Sequence, residues 1–375
     1  MQRIKFIDRM ASGALTRRQM LQGAAAFGVG LTLSPRLSAA AEVLTCLEWT
    51  GYDSDDYFRS YVGKHGTAPS FSTFGGEEEA LAKVRAGFAA DLMHPCNYSV
   101  GRFVEAGLTV PIDTAKLSNW KDVFPALQTA DGVVVNGDVV MAPADWGNAS
   151  IAYRPDLIGD AFKDGESWGI FYDGAFEGKV SMLDDPLAIA IGQMVKGVSY
   201  RDANLLTGDK LQAAKEFGAK AVKNSRFLWT DSTELQQGLA SGEIVAAYAW
   251  NDTVKNLLAE GIEARYAKPK EGYFTWFCGM TILNSGKADP ALAYDFIDAW
   301  LSPETGKLLI EGSGFGHANM KAFEISDPEA VKAMGITDPI EHMKSAILFE
   351  PQPSPVVNEQ QKVWEEIKAL KLYSP

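Results

Sequence analysis

The chain of 375 residues has few of the residues on which many functions depend, with only three cysteines and four histidines. Cys46, Cys96 and Cys278 are odd in number and have no CxxC spacing, so they define no disulfide framework, although one bridge stays open. Their expected state is burial as small apolar side chains. His65, His94, His317 and His342 never recur at HxxxH or HExxH spacing, so no metal is expected. The P-loop pattern is missing, and no cofactor is expected. No stretch of 18 uninterrupted apolar residues occurs, so the mature chain is expected to be soluble. Positive charge is in deficit, with 35 Lys and Arg against 48 Asp and Glu and a net charge of −13. A phosphate backbone needs a basic footprint, so nucleic-acid binding is excluded.

Present in quantity are apolar residues, 46% of the chain, and aromatics: nine Trp, twelve Tyr and nineteen Phe. That is enough for two domains or one large α/β unit, with rings left over to line a ligand site. The first 41 residues differ from the rest. Arg3, Lys5, Arg9, Arg17, Arg18 and Arg36 stand against Asp8 alone, followed by the apolar run Gly23 to Leu33 and the small residues Ser38-Ala39-Ala40-Ala41. This is the layout of an export signal cleaved after Ala41. Thr16-Arg17-Arg18-Gln19-Met20-Leu21 closely resembles the twin-arginine motif of proteins that fold before they cross the membrane.

Beyond the signal, short apolar runs alternate with helical patterns, which predicts an α/β fold. Strands are expected at Val43–Trp49, Ser70–Phe74, Ala90–His94, Val139–Ala142, Ser150–Tyr153, Gly178–Leu183, Ile244–Trp250 and Phe274–Leu283. Trp146 is placed in a turn. The helix after Gly75-Gly76 carries Glu77, Glu78 and Glu79 in its first turn, as the positive helix end prefers. Gly312-Ser313-Gly314-Phe315-Gly316 follows a helix and is read as a cap and turn, not a dinucleotide loop, and His317 beside it as structural.

Aromatics gather at strand ends, where α/β proteins hold ligands. Trp49-Thr50-Gly51-Tyr52 closes the first strand, Tyr98 follows the third, and Trp229 and Trp250 end later ones. Asp185 follows a strand and Asp252 follows Trp250. Rings with one or two carboxylates suit an alkylammonium ligand, because the ring quadrupole attracts the charge and the carboxylate pairs with it.

Val43–Tyr52, Glu77–Gly87, Asp91–Gly107, Ser167–Asp185, Gly238–Asp252, Lys268–Gly272 and Gly314–Asn319 occur in family order and together resemble the periplasmic polyamine-binding proteins of spermidine/putrescine ABC transporters. The resemblance implies a two-lobed, type II solute-binding fold whose chain crosses between lobes near Gly147–Asn148 and Ala267–Pro269. It divides the chain into signal 1–41, first lobe 42–147, second lobe 148–267 and the rest of the first lobe 268–375. It also implies a periplasmic monomer that captures a small amine such as putrescine and delivers it to an ABC permease in the inner membrane, without covalent chemistry. Trp49, Thr50, Tyr52 and Tyr98 match ligand contacts of the first lobe; Asp185, Trp250 and Asp252 match contacts of the second, with Trp229 near another. Gly51 stands where a Glu is usual, Ala188 where spermidine binders hold a Glu, Cys278 where putrescine binders hold an Asp, and Cys96 where a small polar residue is usual. Fewer carboxylates hold fewer ammonium groups, so a zwitterion such as γ-aminobutyrate or an opine-like amino acid derivative is the alternative, with Arg201 or Arg226 as the candidate carboxylate clamp. An exported hydrolase and a receptor-coupled sensor are the rivals from other classes.

Overall fold

The computed structural model describes residues 43–334, 336 and 338–372; the expected signal and its cleavage site after Ala41 lie outside them. Three parallel strands come first: β1 (Thr45–Trp49) pairs with β2 (Ser70–Phe74) on one side and β3 (Leu92–Met93) on the other. The chain continues with β4 (Ala142–Tyr153), β5 (Val180–Leu183), β6 (Ser225–Trp229), β7 (Ala246–Trp250) and β8 (Phe274–Leu283). Among the described residues the main path of the large sheet runs β2-β1-β3-β8-β4-β7-β5-β6. β8 lies antiparallel between β3 and β4, and β7 lies antiparallel to β4. This is the two-lobed α/β architecture that the sequence predicts.

The expected pair of short strands at 139–142 and 150–153 is instead the single strand β4, buried at all of its 12 residues. Pro143, Gly147 and Asn148 read as turn residues, but pairing on both sides overrides their local preference. Gly147 is there for closeness: a Cβ would come within 2.4 Å of the Trp276 ring. Polar residues of β4 are each satisfied. The Thr275 hydroxyl donates to Asn148 Oδ1 at 2.8 Å, and the Ser150 hydroxyl donates to the Ala267 carbonyl at 2.8 Å. Trp146 is consequently a core residue whose Nε1–H donates to the His317 carbonyl at 2.9 Å.

The core has two main parts. Trp146 and Phe277 belong to one, which gathers residues from Leu44 to Met343; Ala149 and Phe274 belong to the other, which runs from Ala149 to Phe274 and takes in Phe349, Val363, Trp364 and Ile367. The chain therefore changes core between Trp146 and Ala149, between Phe274 and Phe277, and again between Met343 and Phe349. The C-terminal helix (Ser354–Leu372) lies with the second core, not, as expected, with the first. Its apolar stripe explains this, together with Trp364 Nε1–H donating to Asp184 at 2.7 Å and Lys215 pairing with Glu366 at 2.6 Å.

A buried charge cluster joins the ends of β1, β3 and β4. His94 Nδ1 lies 2.7 Å from Glu48 Oε1, and its Nε2 lies 2.9 Å from Asp145 Oδ1. All three side chains are out of solvent. Burial opposes charge on the imidazole, but Glu48 and Asp145 more than offset it and push its pKa up to about 10. Burial also holds the Glu48 carboxyl above its ordinary value, against the pull of His94. The cluster is therefore a cation between two acids, and the Tyr52 hydroxyl donates to the far oxygen of Asp145 at 2.9 Å.

The His94 shift is upward, so its stabilisation is present in full below the ordinary histidine value of 6.5 and is lost as pH rises through about 10. Urea unfolding should show stability falling across this interval. His94→Leu, which strands two buried carboxylates, should cost about 3–5 kcal/mol at neutral pH and abolish that decline; a loss below 1 kcal/mol would show that the cluster carries no net charge pairing.

Candidate ligand-binding site

The site residues sit where strands of the sheet give way to turns and helices. β1 ends in Trp49, and the chain turns at once, with the Tyr52 N–H donating to the Trp49 carbonyl at 3.1 Å. Gly51 makes that turn in the left-handed region, φ 97°, which disfavours any side chain there. The Trp49 ring packs on Phe74 with centroids 4.5 Å apart, and Thr50 Oγ1 donates to the Phe74 carbonyl at 3.2 Å. Tyr52 stacks on Trp300 at 5.9 Å and spends its hydroxyl on Asp145, so it offers the site a ring and not a donor.

Two helices open at the neighbouring strand ends, α1 (Glu77–Arg85) and α2 (Asn97–Glu105). Cys96 precedes α2 and is bonded to Cys278 of β8, while Cys46 is free and buried. The one bridge that the sequence left open is thus formed, where burial as free small residues was the expected state: β3 and β8 are neighbours in the sheet, which brings two positions 182 residues apart face to face. Tyr98, in the first turn of α2, packs edge-on against Phe349 at 5.8 Å. Burial raises its hydroxyl well above the ordinary value, and the charges of Glu77 and Asp185 add to this, so Tyr98 lies within reach of both acids.

From the other core come Asp185 and the end of β7. Asp185 is exposed in this structure and accepts from the Leu187 N–H at 2.8 Å; desolvation by the protein around it lifts its carboxyl, with Asp184 and Glu78 adding to the effect. Trp250 is edge-on to Tyr248 at 5.5 Å, Trp229 at 5.9 Å and Trp276 at 6.2 Å. Trp276 in turn meets Phe315 at 5.1 Å. Trp229 is a core residue, 2% exposed, with Nε1–H donating to the Tyr248 carbonyl at 3.0 Å. Asp252 opens the helix after Trp250; burial raises its carboxyl, and Lys255 opposes the shift.

The two arginines are engaged elsewhere. Arg201 pairs with Glu350 at 3.1 Å and Arg226 with Glu243 at 2.7 Å, with side chains 66% and 57% exposed. Ala188 is fully buried, with the Tyr172 hydroxyl donating to its carbonyl at 2.5 Å. Trp276, Phe315 and Glu77 join the site although the sequence reading gave them no such role. Trp276 was detectable in principle, because it shares a face of β8 with Cys278 two residues on.

Among the buried side-chain polar atoms that find no hydrogen-bond partner among the described residues, four belong to this region, Trp49 Nε1, Glu77 Oε2, Asp252 Oδ1 and Trp276 Nε1, while others, such as Gln193 Nε2, Thr281 Oγ1 and Trp300 Nε1, do not. Each is costly in a folded protein unless something outside the chain meets it. A separate depression of about 450 Å³, lined by Ser60, Lys64, Asn119 and Asp295 among others, holds none of these residues.

Hydrolase chemistry finds no support in the geometry. The serine-hydrolase spacing GxSxG occurs once, as Gly165-Glu166-Ser167-Trp168-Gly169. Ser167 precedes a short helical turn, accepts from the Gly169 N–H at 3.0 Å and donates to Glu271 at 2.6 Å, which is a cap and not a strand-to-helix elbow with a histidine. His317 is buried between the Trp300 carbonyl, 2.9 Å from Nε2, and the Asn319 N–H, 3.1 Å from Nδ1; burial pushes its pKa down to about 4.

A two-lobed α/β fold with a ring-and-carboxylate site between strand ends defines the class of type II solute-binding proteins. The chain belongs to the bacterial extracellular solute-binding protein family, whose model matches residues 64–336. It is 24% identical over 364 residues to the putrescine-binding periplasmic protein SpuD of Pseudomonas aeruginosa, covering 92% of this chain and 98% of that protein. The crystal structure of the spermidine/putrescine ABC transporter substrate-binding protein PotD of Streptococcus pneumoniae superposes with a TM-score of 0.73 at 19% identity, covering 88% of this chain and 100% of that one. The structure of the Atu4243 GABA receptor gives 0.68 at 17% identity, covering 89% and 98%.

The disulfide has a direct check. Thiol titration in denaturant should find one reactive group per chain without reductant and three with it. Cys96→Ala/Cys278→Ala should lower stability by about 2–4 kcal/mol.

Proposed function

We propose that the protein is the periplasmic substrate-binding component of an ABC importer and that it captures a small amine, such as putrescine or a related polyamine, between its two lobes. The observation that carries this reading is Asp252 Oδ1, a buried carboxylate oxygen without a partner, one residue beyond the Trp250 that is boxed by other rings. A desolvated ammonium meets both needs at once, through the carboxylate and the ring faces. Trp49, Thr50, Tyr52 and Tyr98 form the first-lobe wall of this site, with Asp185, Trp250 and Asp252 opposite. The lobes exchange the chain within β4, near Gly147–Asn148, and again within β8, and ligand shifts their open–closed equilibrium because it makes more contacts in the closed state. The closed form is what the permease receives. Residues 1–41 direct twin-arginine export and are removed after Ala41.

Calorimetric titration with putrescine, spermidine and γ-aminobutyrate tests the ligand class. Micromolar binding, about −8 kcal/mol, is the expected scale for a diamine. Trp250→Ala and Asp252→Asn should each weaken it at least tenfold. The carboxyls of Asp185 and Asp252 are held above their ordinary values, so binding of an ammonium must displace protons as pH falls; affinity should be lower at about pH 5 than at about pH 7.5. Heat from γ-aminobutyrate alone would move the assignment to a zwitterion, and no heat from any of the three would reject it.

Export is tested separately. The secreted protein should begin at Glu42, and replacing Arg17 and Arg18 together by Lys should leave uncleaved precursor in the cytoplasm.

A further inference from the structure

The first turn of α1 holds three consecutive glutamates, and their neighbours treat them differently. Glu78 is gripped by Arg102, whose Nη2 lies 2.9 Å from Oε2, and Glu79 pairs with Lys83 at 2.8 Å. Glu77 has no cationic partner among the described residues. Its Oε1 accepts the Cys96 N–H at 2.6 Å, and its Oε2 is buried without a hydrogen-bond partner among the described residues, although the Ser99 hydroxyl is near enough to favour the charged carboxylate. The Ser99 hydroxyl, close by, donates to the Cys96 carbonyl at 3.0 Å. Burial pushes the Glu77 carboxyl up to about 7, and the Cys96 N–H, the Ser99 hydroxyl and the more distant charge of His94 offset only part of that, as for an acid with no cation in direct contact.

The position of Glu77 gives that missing charge a source. Through Cys96 it stands beside the Cys96–Cys278 bridge, and Cys278 shares a face of β8 with Trp276, which meets Trp250. Tyr98, also in the site, lies within the field of both Glu77 and Asp185. Positions where related binders carry acids are closed to that role: Gly51 sits in a left-handed turn, Ala188 is fully buried, and Cys278 is consumed by the disulfide.

We infer that Glu77 is a specificity-determining residue of the site, supplying on the first-lobe side the carboxylate that pairs with a second ammonium group, while Asp252 and Trp250 hold the first. The inference rests on the amine reading above. It makes the site selective for a diamine over a monoamine, because a cation carried in by the ligand satisfies Glu77 Oε2 where a methyl group cannot.

The experiment compares putrescine with n-butylamine on the full-length secreted protein by calorimetry. Glu77→Gln keeps the shape and the acceptor for the Cys96 N–H but removes the charge. It should weaken putrescine at least tenfold and butylamine less than threefold, so the ratio between the two ligands collapses. Glu77→Asp, which retains the charge, should restore part of that ratio, and unchanged melting temperatures separate recognition from folding. If wild type binds putrescine and Glu77→Gln leaves the ratio within twofold, the inference is overturned and the amine reading stands. Wild-type protein that binds neither amine overturns the amine reading and the inference with it.

Discussion

The two main cores of the molecule are joined by two strands that are almost wholly buried. β4 is buried at every residue, and β8, its antiparallel partner, at nearly every one. Such strands meet most of their polar groups internally: Asn148 meets Thr275, Ser150 meets a carbonyl, and Asp145 meets a histidine, while Trp276 Nε1 and Thr281 Oγ1 of β8 find no partner among the described residues. Both strands change allegiance from one core to the other along their length. The joint between the two cores is therefore, at these two strands, hydrogen-bonded sheet and not a free linker.

The charge cluster of Glu48, His94 and Asp145 anchors one side of this joint. It ties the end of β1, which presents Trp49, to β4, and it holds Tyr52 through Asp145. Stability and recognition are thereby coupled: the same carboxylate that keeps a buried imidazole charged also orients a ring of the site.

How much of this was legible in the sequence depends on whether local pattern or distant contact decides a residue's state. Ser70–Phe74 and Phe274–Leu283 were found at their full extent, because apolar runs between turn residues carry their own signal. β4 was not, since Pro143, Gly147 and Asn148 imitate a turn and only the strands on either side make them extended. The rings at strand ends were readable as site candidates by position, yet Trp229 proved to be core, which depends on its carbonyl partner at Tyr248. Glu77 was read as a charge that suits a helix end. That is true of all three glutamates, and only the placement of Arg102 and Lys83 leaves Glu77 unpaired. The disulfide likewise depends on sheet order, which spacing does not encode.

The Cys96–Cys278 bond has a topological consequence. The residues between the two cysteines form a covalent ring that contains all of the second core except the segments after Met343. A protease cut anywhere inside the ring opens it without releasing a fragment, so a nicked molecule retains all its parts until it is reduced. The bond also lies at the irregularity of β8 between Cys278 and Gly279, where a Cβ on the glycine would come within 2.2 Å of the Ala142 carbonyl oxygen. The ring is thus clasped at the one place in β8 where pairing with β4 shifts register, and a fault in that clasp would be felt at once in strand alignment and in the floor of the cleft.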